Sequence, residues 1–204
     1  MMLRLTTTIL AFSLFAIQPA LAEDTKDSNF AKYSLSGSFS PFGTSLNFGY
    51  NSCSKTSYQF SVGGFPETEA PFKVEVDDSE YTVKGSSSWA GVFVQHRPVD
   101  DSKWFRLVFG FGVGQIKNSL DDGEGNTYTA NYTENPVIYS GIGFGGEAKK
   151  GFIWGFDIGL LSTAGPNVIQ TSSMNGIDHT SDIEDFWAFG AMLPNAQLTL
   201  GYGF

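Results

Sequence analysis

Eight times along this chain, large apolar side chains alternate with small or polar ones, and that period of two constrains the fold more than any other feature. In YSLSGSFS, Tyr33, Leu35 and Phe39 alternate with Ser34, Ser36, Ser38 and Ser40. In SLNFGYN, Leu46, Phe48 and Tyr50 oppose Ser45, Asn47, Gly49 and Asn51. The pattern returns in SYQFSVG (57–63), WAGVFVQHR (89–97), FRLVFGFGVG (105–114), VIYSGIGFGGE (137–147), FIWGFDIGLL (152–161) and QLTLGYGF (197–204). Successive side chains of a strand point to opposite faces, so each segment reads as a β-strand with one apolar face.

The polar face separates two classes of all-β fold. A soluble sandwich buries its apolar face and wets the other, which is then normally rich in Lys and Glu. Here the second face is mostly Ser, Gly, Asn and Gln, and charged residues are only 16% of the chain, against a typical ~25%. An eight-stranded transmembrane barrel turns the apolar face to lipid and packs the other into a narrow lumen with room only for side chains. The 24 glycines suit that lumen. The expected fold is therefore an all-β, transmembrane, eight-stranded antiparallel up-and-down β-barrel. A single cysteine, Cys53, excludes an intramolecular disulfide framework.

Residues 1–22, MMLRLTTTILAFSLFAIQPALA, combine Arg4, an apolar run and the small-residue exit Ala20-Leu21-Ala22. This is the pattern of a secretory signal peptide cleaved after Ala22, leaving one barrel domain over 23–204. The net charge of −9 and the lack of a basic cluster argue against a nucleic-acid partner. With the N-terminus in the periplasm, the turns SCSK, VDDSK and AKKG on that side are short. On the opposite side the first connection is only PFG, but the others, about 65–86, 117–135 and 163–187, are long and acidic, the asymmetry of bacterial outer-membrane barrels. The expected location is the outer membrane, as a monomer among lipid and lipopolysaccharide.

The last strand ends on Phe204, as a closed barrel with no free edge permits. Gln197, Tyr202 and Phe204 resemble the terminal assembly signal of outer-membrane proteins, although Thr199 stands where that signal usually has glycine. The resemblance implies the outer-membrane assembly machinery as a partner.

The segment PVIYSGIGFGGEAKKGFIWGFDIGLLSTAGPNV, with VQHRP at 94–98 and LPNAQLTLGYGF at 193–204, resembles the carbapenem-associated outer-membrane protein (CarO) family. That resemblance covers most of the mature chain and implies a narrow channel for passive uptake of small solutes such as basic amino acids. The alternative is a structural or surface-interaction barrel that acts through its acidic loops and has no pore activity.

By the alternation, Arg97, Arg106, Glu147 and Asp157 face inward, with Gln59, Gln95 and Tyr139. Charges in a confined lumen require partners. The expected pair is Arg106 with Glu147, with Asp157 the alternative partner and Arg97 a further member of the network. Its two readings are a structural plug and a constriction tuning a narrow pore.

Other motifs read as barrel grammar. Gly141-x-Gly143-x-x-Gly146 lacks the following helix that a dinucleotide fingerprint needs. His179-Thr180-Ser181 has the form of a histidine-activated serine, with Asp182 or Glu184 as orienting acid, but it sits in a loop away from the lipid face. Asp121-Asp122-Gly123-Glu124 lacks the spacing of a calcium loop, Asn131-Tyr132-Thr133 is a sequon only in a host that uses it, and His96 reads as a rim residue. The expectation is a non-enzymatic barrel with no cofactor and no metal.

Overall fold

The computed structural model describes residues 28–204 apart from Phe72, Asp78, Glu134, Asn135, Asn175 and Ile177. The expected signal peptide, 1–22, lies outside the described residues. Among the described residues eleven strands form: β1 (Tyr33–Ser40), β2 (Gly43–Asn51), β3 (Thr56–Glu69), β4 (Val74–Val76), β5 (Ser79–His96), β6 (Phe105–Asp121), β7 (Thr127–Tyr132), β8 (Val137–Gly145), β9 (Gly151–Ser162), β10 (Asn167–Ser172) and β11 (Met192–Gly203). One short helix, α1 (Thr180–Asp185), follows β10.

Eight of these strands close an antiparallel ring in the order β1-β2-β3-β5-β6-β8-β9-β11 and back to β1. At the seam, Leu35 lies opposite Tyr202, and Ser38 opposite Thr199. The Tyr33 N–H donates to the Phe204 carbonyl at 2.9 Å, and the Phe204 N–H donates back to the Tyr33 carbonyl at 2.8 Å. Phe204 also packs its ring against Tyr33, 6.3 Å between centroids. Deleting Phe204 removes both seam hydrogen bonds and the ring contact. It is expected to lower the heat-modifiable, folded fraction recovered from membranes, and unchanged recovery at native expression would refute this role.

The wall is inverted relative to a soluble protein. Leu46, Phe60, Phe111, Trp154, Ile158 and Leu200 are among the exposed side chains of the belt. Inside, Asn47 and Ser61 are buried. Asn47 donates from Nδ2 to Ser38 Oγ at 2.7 Å and to Ser36 Oγ at 3.3 Å, while Ser45 Oγ donates to Asn47 Oδ1 at 3.1 Å. Exposed apolar surface this extensive is stable only in hydrocarbon. Around the short-turn end, Tyr33, Phe48 and Tyr50 pack together, as do Trp104, Phe105 and Phe144. These rings sit where an aromatic girdle meets the headgroups.

The long connections differ from the expectation of loops. β5 has 18 residues and β6 has 17, whereas a strand needs about 9–11 to cross a bilayer. Their excess rises beyond β1 and β2 as a hairpin wall. β4 pairs with β5, β7 with β6, and β10 with β7. With α1 they enclose an apolar core of Val76, Tyr81, Val83, Leu120, Tyr128, Ala130, Val168, Ile183 and Phe189. The period of two continues into this cap, but the burial sense changes. Along β6, Phe109, Phe111 and Val113 point outward to lipid, whereas Leu120 points inward and is fully buried. Above the membrane the outer face meets water, so the apolar side chains occupy the inner one.

Candidate functional site

The barrel lumen collects the polar residues that the alternation turned inward. One row across the wall fixes its central ion pair. Arg106 of β6 lies opposite Gly143 of β8, and Gly143 lies opposite Asp157 of β9. Because Gly143 has no side chain, the guanidinium lies across it. Arg106 donates from Nε to Asp157 Oδ1 at 3.0 Å and from Nη2 to Asp157 Oδ2 at 2.9 Å, a bidentate pair with both side chains buried. A Cβ at Gly143, Gly145 or Gly155 would meet the Arg106 side chain at or inside van der Waals contact. These three glycines form the bed on which the arginine rests.

This corrects the expected Arg106–Glu147 pair. β8 ends at Gly145, so Glu147 falls in the turn below the lumen rather than on an inward strand position. There it forms ion pairs with Lys103 at 3.6 Å and Lys149 at 3.2 Å. Asp157, the alternative partner, shares the arginine's row.

Above the pair, Phe93 and Tyr139 reach in from β5 and β8 and meet edge to face, 5.8 Å between centroids. Glycines again make their room. A Cβ at Gly91 or Gly110 would strike Phe93, and one at Gly141 or Gly159 would strike Tyr139. Gln95 donates from Nε2 to Gln59 Oε1 at 2.8 Å, and Gln59 donates to Ser61 Oγ at 2.9 Å. Together these side chains divide the interior. A cavity of about 80 Å³ on the cap side touches Trp89, Phe93, Tyr139, Asp157, Asn195 and Gln197. A second, of about 60 Å³ on the turn side, touches Ser36, Asn51, Arg97, Arg106 and Glu147. Gln59 and Gln95 border both.

Arg97 stands at the floor of the turn-side cavity, donating from Nε to the Lys103 carbonyl at 3.1 Å and from Nη2 to the Gly146 carbonyl at 3.0 Å. Gln197 faces inward against Thr199, while Tyr202 and Phe204 are exposed on the lipid side of the seam. His96 is at the turn-end rim, its Nδ1 3.0 Å from Thr56 Oγ1. Cys53 is buried in the β2–β3 turn.

The cap absorbs the remaining motifs. Burial pushes the Asp122 carboxyl up, but hydrogen bonds from the Asn126 side chain and from the backbone N–H groups of Glu124 and Asn126 outweigh it and hold it below the usual carboxylate range. The acidic turn therefore spends that carboxylate on its own backbone. His179 directs Nδ1 toward Asp182 at 3.4 Å and Asp77 at 3.5 Å. Ser181 is exposed on α1. Burial pushes the Tyr81 phenol up to about 12, with Tyr128 beside it adding to the shift. Gly141 and Gly143 lie within β8, which leads into a turn and then β9, so the glycine motif opens no helix.

A closed ring of eight antiparallel strands, apolar outside and polar inside, with short turns at one end and long connections at the other, is the fold of a small outer-membrane β-barrel. Among solved structures the chain is similar to CarO from Acinetobacter baumannii, with a TM-score of 0.65 and 13% identity over 84% of this chain and 97% of that one. It is similar also to CarO2 from the same organism, with a TM-score of 0.68 and 10% identity over 87% and 100%. A major outer membrane protein from Thermus thermophilus matches with a TM-score of 0.51 and 14% identity over 85% and 99%. At these identities the likeness is one of fold. The sequence matches no protein-family model and no curated protein.

Proposed function

We propose that this barrel resides in the outer membrane as a non-enzymatic, side-chain-filled anchor that presents its folded cap at the cell surface to partners or to lipopolysaccharide. The lumen carries the reading. A buried bidentate ion pair, an aromatic pair and a glutamine bridge fill the lumen between two small cavities and narrow it. The cap supports it from outside, with Glu67, Glu69, Glu75 and Glu80 on or beside β3–β5 and Asp182, Glu184 and Asp185 on α1.

A second reading, a narrow channel for small solutes, is favoured by one observation. The two cavities abut at Gln59 and Gln95, whose side chains are held by neutral hydrogen bonds rather than by an ion pair. A cationic solute such as a basic amino acid finds less support, since the two carboxylates bordering these cavities, Asp157 and Glu147, are already paired with cations.

Single-channel recording in planar bilayers separates the readings. The purified barrel is expected to give no discrete conductance steps. Reproducible steps from the wild-type protein would overturn the anchor reading and favour the channel.

A further inference from the structure

The cap-side cavity does not share the polarity of the lumen below it. Toward the turns, the inward positions of the ring carry Ser36, Asn47 and Ser61. Around this cavity they carry Trp89, Val108, Ile116, Val137 and Leu161, and most of the lining is carbon. The Phe93–Tyr139 pair forms its floor, and Tyr132, whose hydroxyl donates to the Phe189 carbonyl, joins it to the cap. Space bounded by carbon holds water poorly and leaves its own lining short of contacts, so an apolar molecule that fits is favoured there.

The polar atoms of the cavity set what that molecule carries. Gln95 and Gln197 spend their Nε2 groups on Gln59 and Thr199. Their Oε1 atoms have no hydrogen-bond partner among the described residues and are not walled off by protein. They are free acceptors beside an apolar space, which calls for a donor on the ligand. Charge is disfavoured. Asp157 is already paired with Arg106, so a cation finds no free carboxylate, and an anion would meet amide oxygens. The volume of about 80 Å³ is comparable to a single six-membered ring and excludes a sugar or a lipid chain.

The wall is lowest beside this space. Pairing of β1 with β11 stops at Phe39 and Leu198, and pairing of β2 with β3 stops at Thr44 and Gly64. β11 continues along β9 to Met192, and β3 continues along β5 to Glu69. The tip of the β1–β2 hairpin thus leaves both neighbouring strands without a partner on that side, and the cavity touches Ser40 and Phe42 at that tip.

We propose that the cap-side cavity binds a small neutral molecule of one ring and one hydrogen-bond donor, of the phenol class. The ring packs among Trp89, Val137 and Leu161, and its O–H donates to Gln95 or Gln197. The site goes beyond the anchor reading and stands whether or not the lumen conducts.

4-Fluorophenol is the probe, followed by its fluorine resonance with the intact barrel in detergent micelles. A saturable shift is expected, competed away by phenol. Fluorobenzene, which has no donor, should bind about fivefold more weakly, and Gln197→Leu should weaken 4-fluorophenol to a similar degree, the loss expected for one neutral hydrogen bond. Val137→Phe places a ring in the cavity and should abolish the saturable shift while leaving heat modifiability intact. Should Val137→Phe fail to fold, wild type against empty micelles and the Gln197→Leu variant decide. A shift no larger than that in empty micelles, or one that Val137→Phe leaves unchanged, would mean partition into the micelle only and overturns the proposal. Equal binding of fluorobenzene and 4-fluorophenol overturns the assignment of ligand class.

Discussion

Arg106→Ala is expected to destabilise the barrel by about 3–5 kcal/mol, because it leaves the Asp157 carboxylate buried without its partner. Asp157 is 4% exposed and lies deep in the lumen, so water cannot readily replace the guanidinium. Asp157→Ala should do comparable damage by stranding the arginine. The double variant Arg106→Leu/Asp157→Leu should recover much of the loss, since two apolar side chains of moderate volume need no ionic partner. Gly143→Val provides a third route, because its side chain would occupy the space between the two charged groups. Urea unfolding in phospholipid vesicles, followed by tryptophan fluorescence, measures all four. A double variant as damaged as the sum of the singles would show that the pair has no special coupling. An unaltered Arg106→Ala would show that the lumen tolerates a bare carboxylate. The same variant is the one in which conductance should first appear, because the gap it leaves joins the two cavities.

The barrel wall was legible in the sequence because one physical rule governs it. Lipid on one side and a crowded polar lumen on the other impose strict alternation, and all eight alternating segments lie on strands of the ring. The alternation also placed Arg106 and Asp157 inward correctly. Their pairing was less legible, because it depends on register, which a period of two does not specify across a long connection. Glu147 continued the parity of β8 in sequence, yet the strand stops at Gly145, where φ is +157°. The useful signal was Gly143, a strand glycine between two charged residues on neighbouring strands. The cap was hidden for a different reason. Val74, Val76, Tyr81, Val83, Leu120 and Tyr128 follow the same alternation as the wall, but they are interspersed with the acids and glycines of connections that read as loops. Only the structure shows that β5 and β6 outrun the membrane and that their inner faces become an apolar core. Arg97 was found at the lumen, but its carbonyl partners, those of Lys103 and Gly146, could not be read from composition or parity.

That core makes the cap testable apart from the barrel. Ile183 is the fully buried side chain of α1, inserted among Tyr81, Tyr128 and Phe189. Ile183→Ala should cost the cap about 2–5 kcal/mol, the range for truncating a large aliphatic in a packed core. A helix of six residues has little intrinsic stability, so α1 should detach once this anchor is gone. Tyr132 connects the two regions, because its hydroxyl donates to the Phe189 carbonyl and its ring borders the cap-side cavity. Hydrogen exchange should therefore accelerate at the amides of α1, β7 and β10 in Ile183→Ala, while those of β1, β2, β9 and β11 remain protected. Heat modifiability, which reports the closed ring, should be unaffected. Exchange that rises equally in all strands would mean that cap and barrel unfold as one unit. In that case the cap could not serve as a replaceable surface module, because changes in its sequence would be limited by the stability of the wall beneath it.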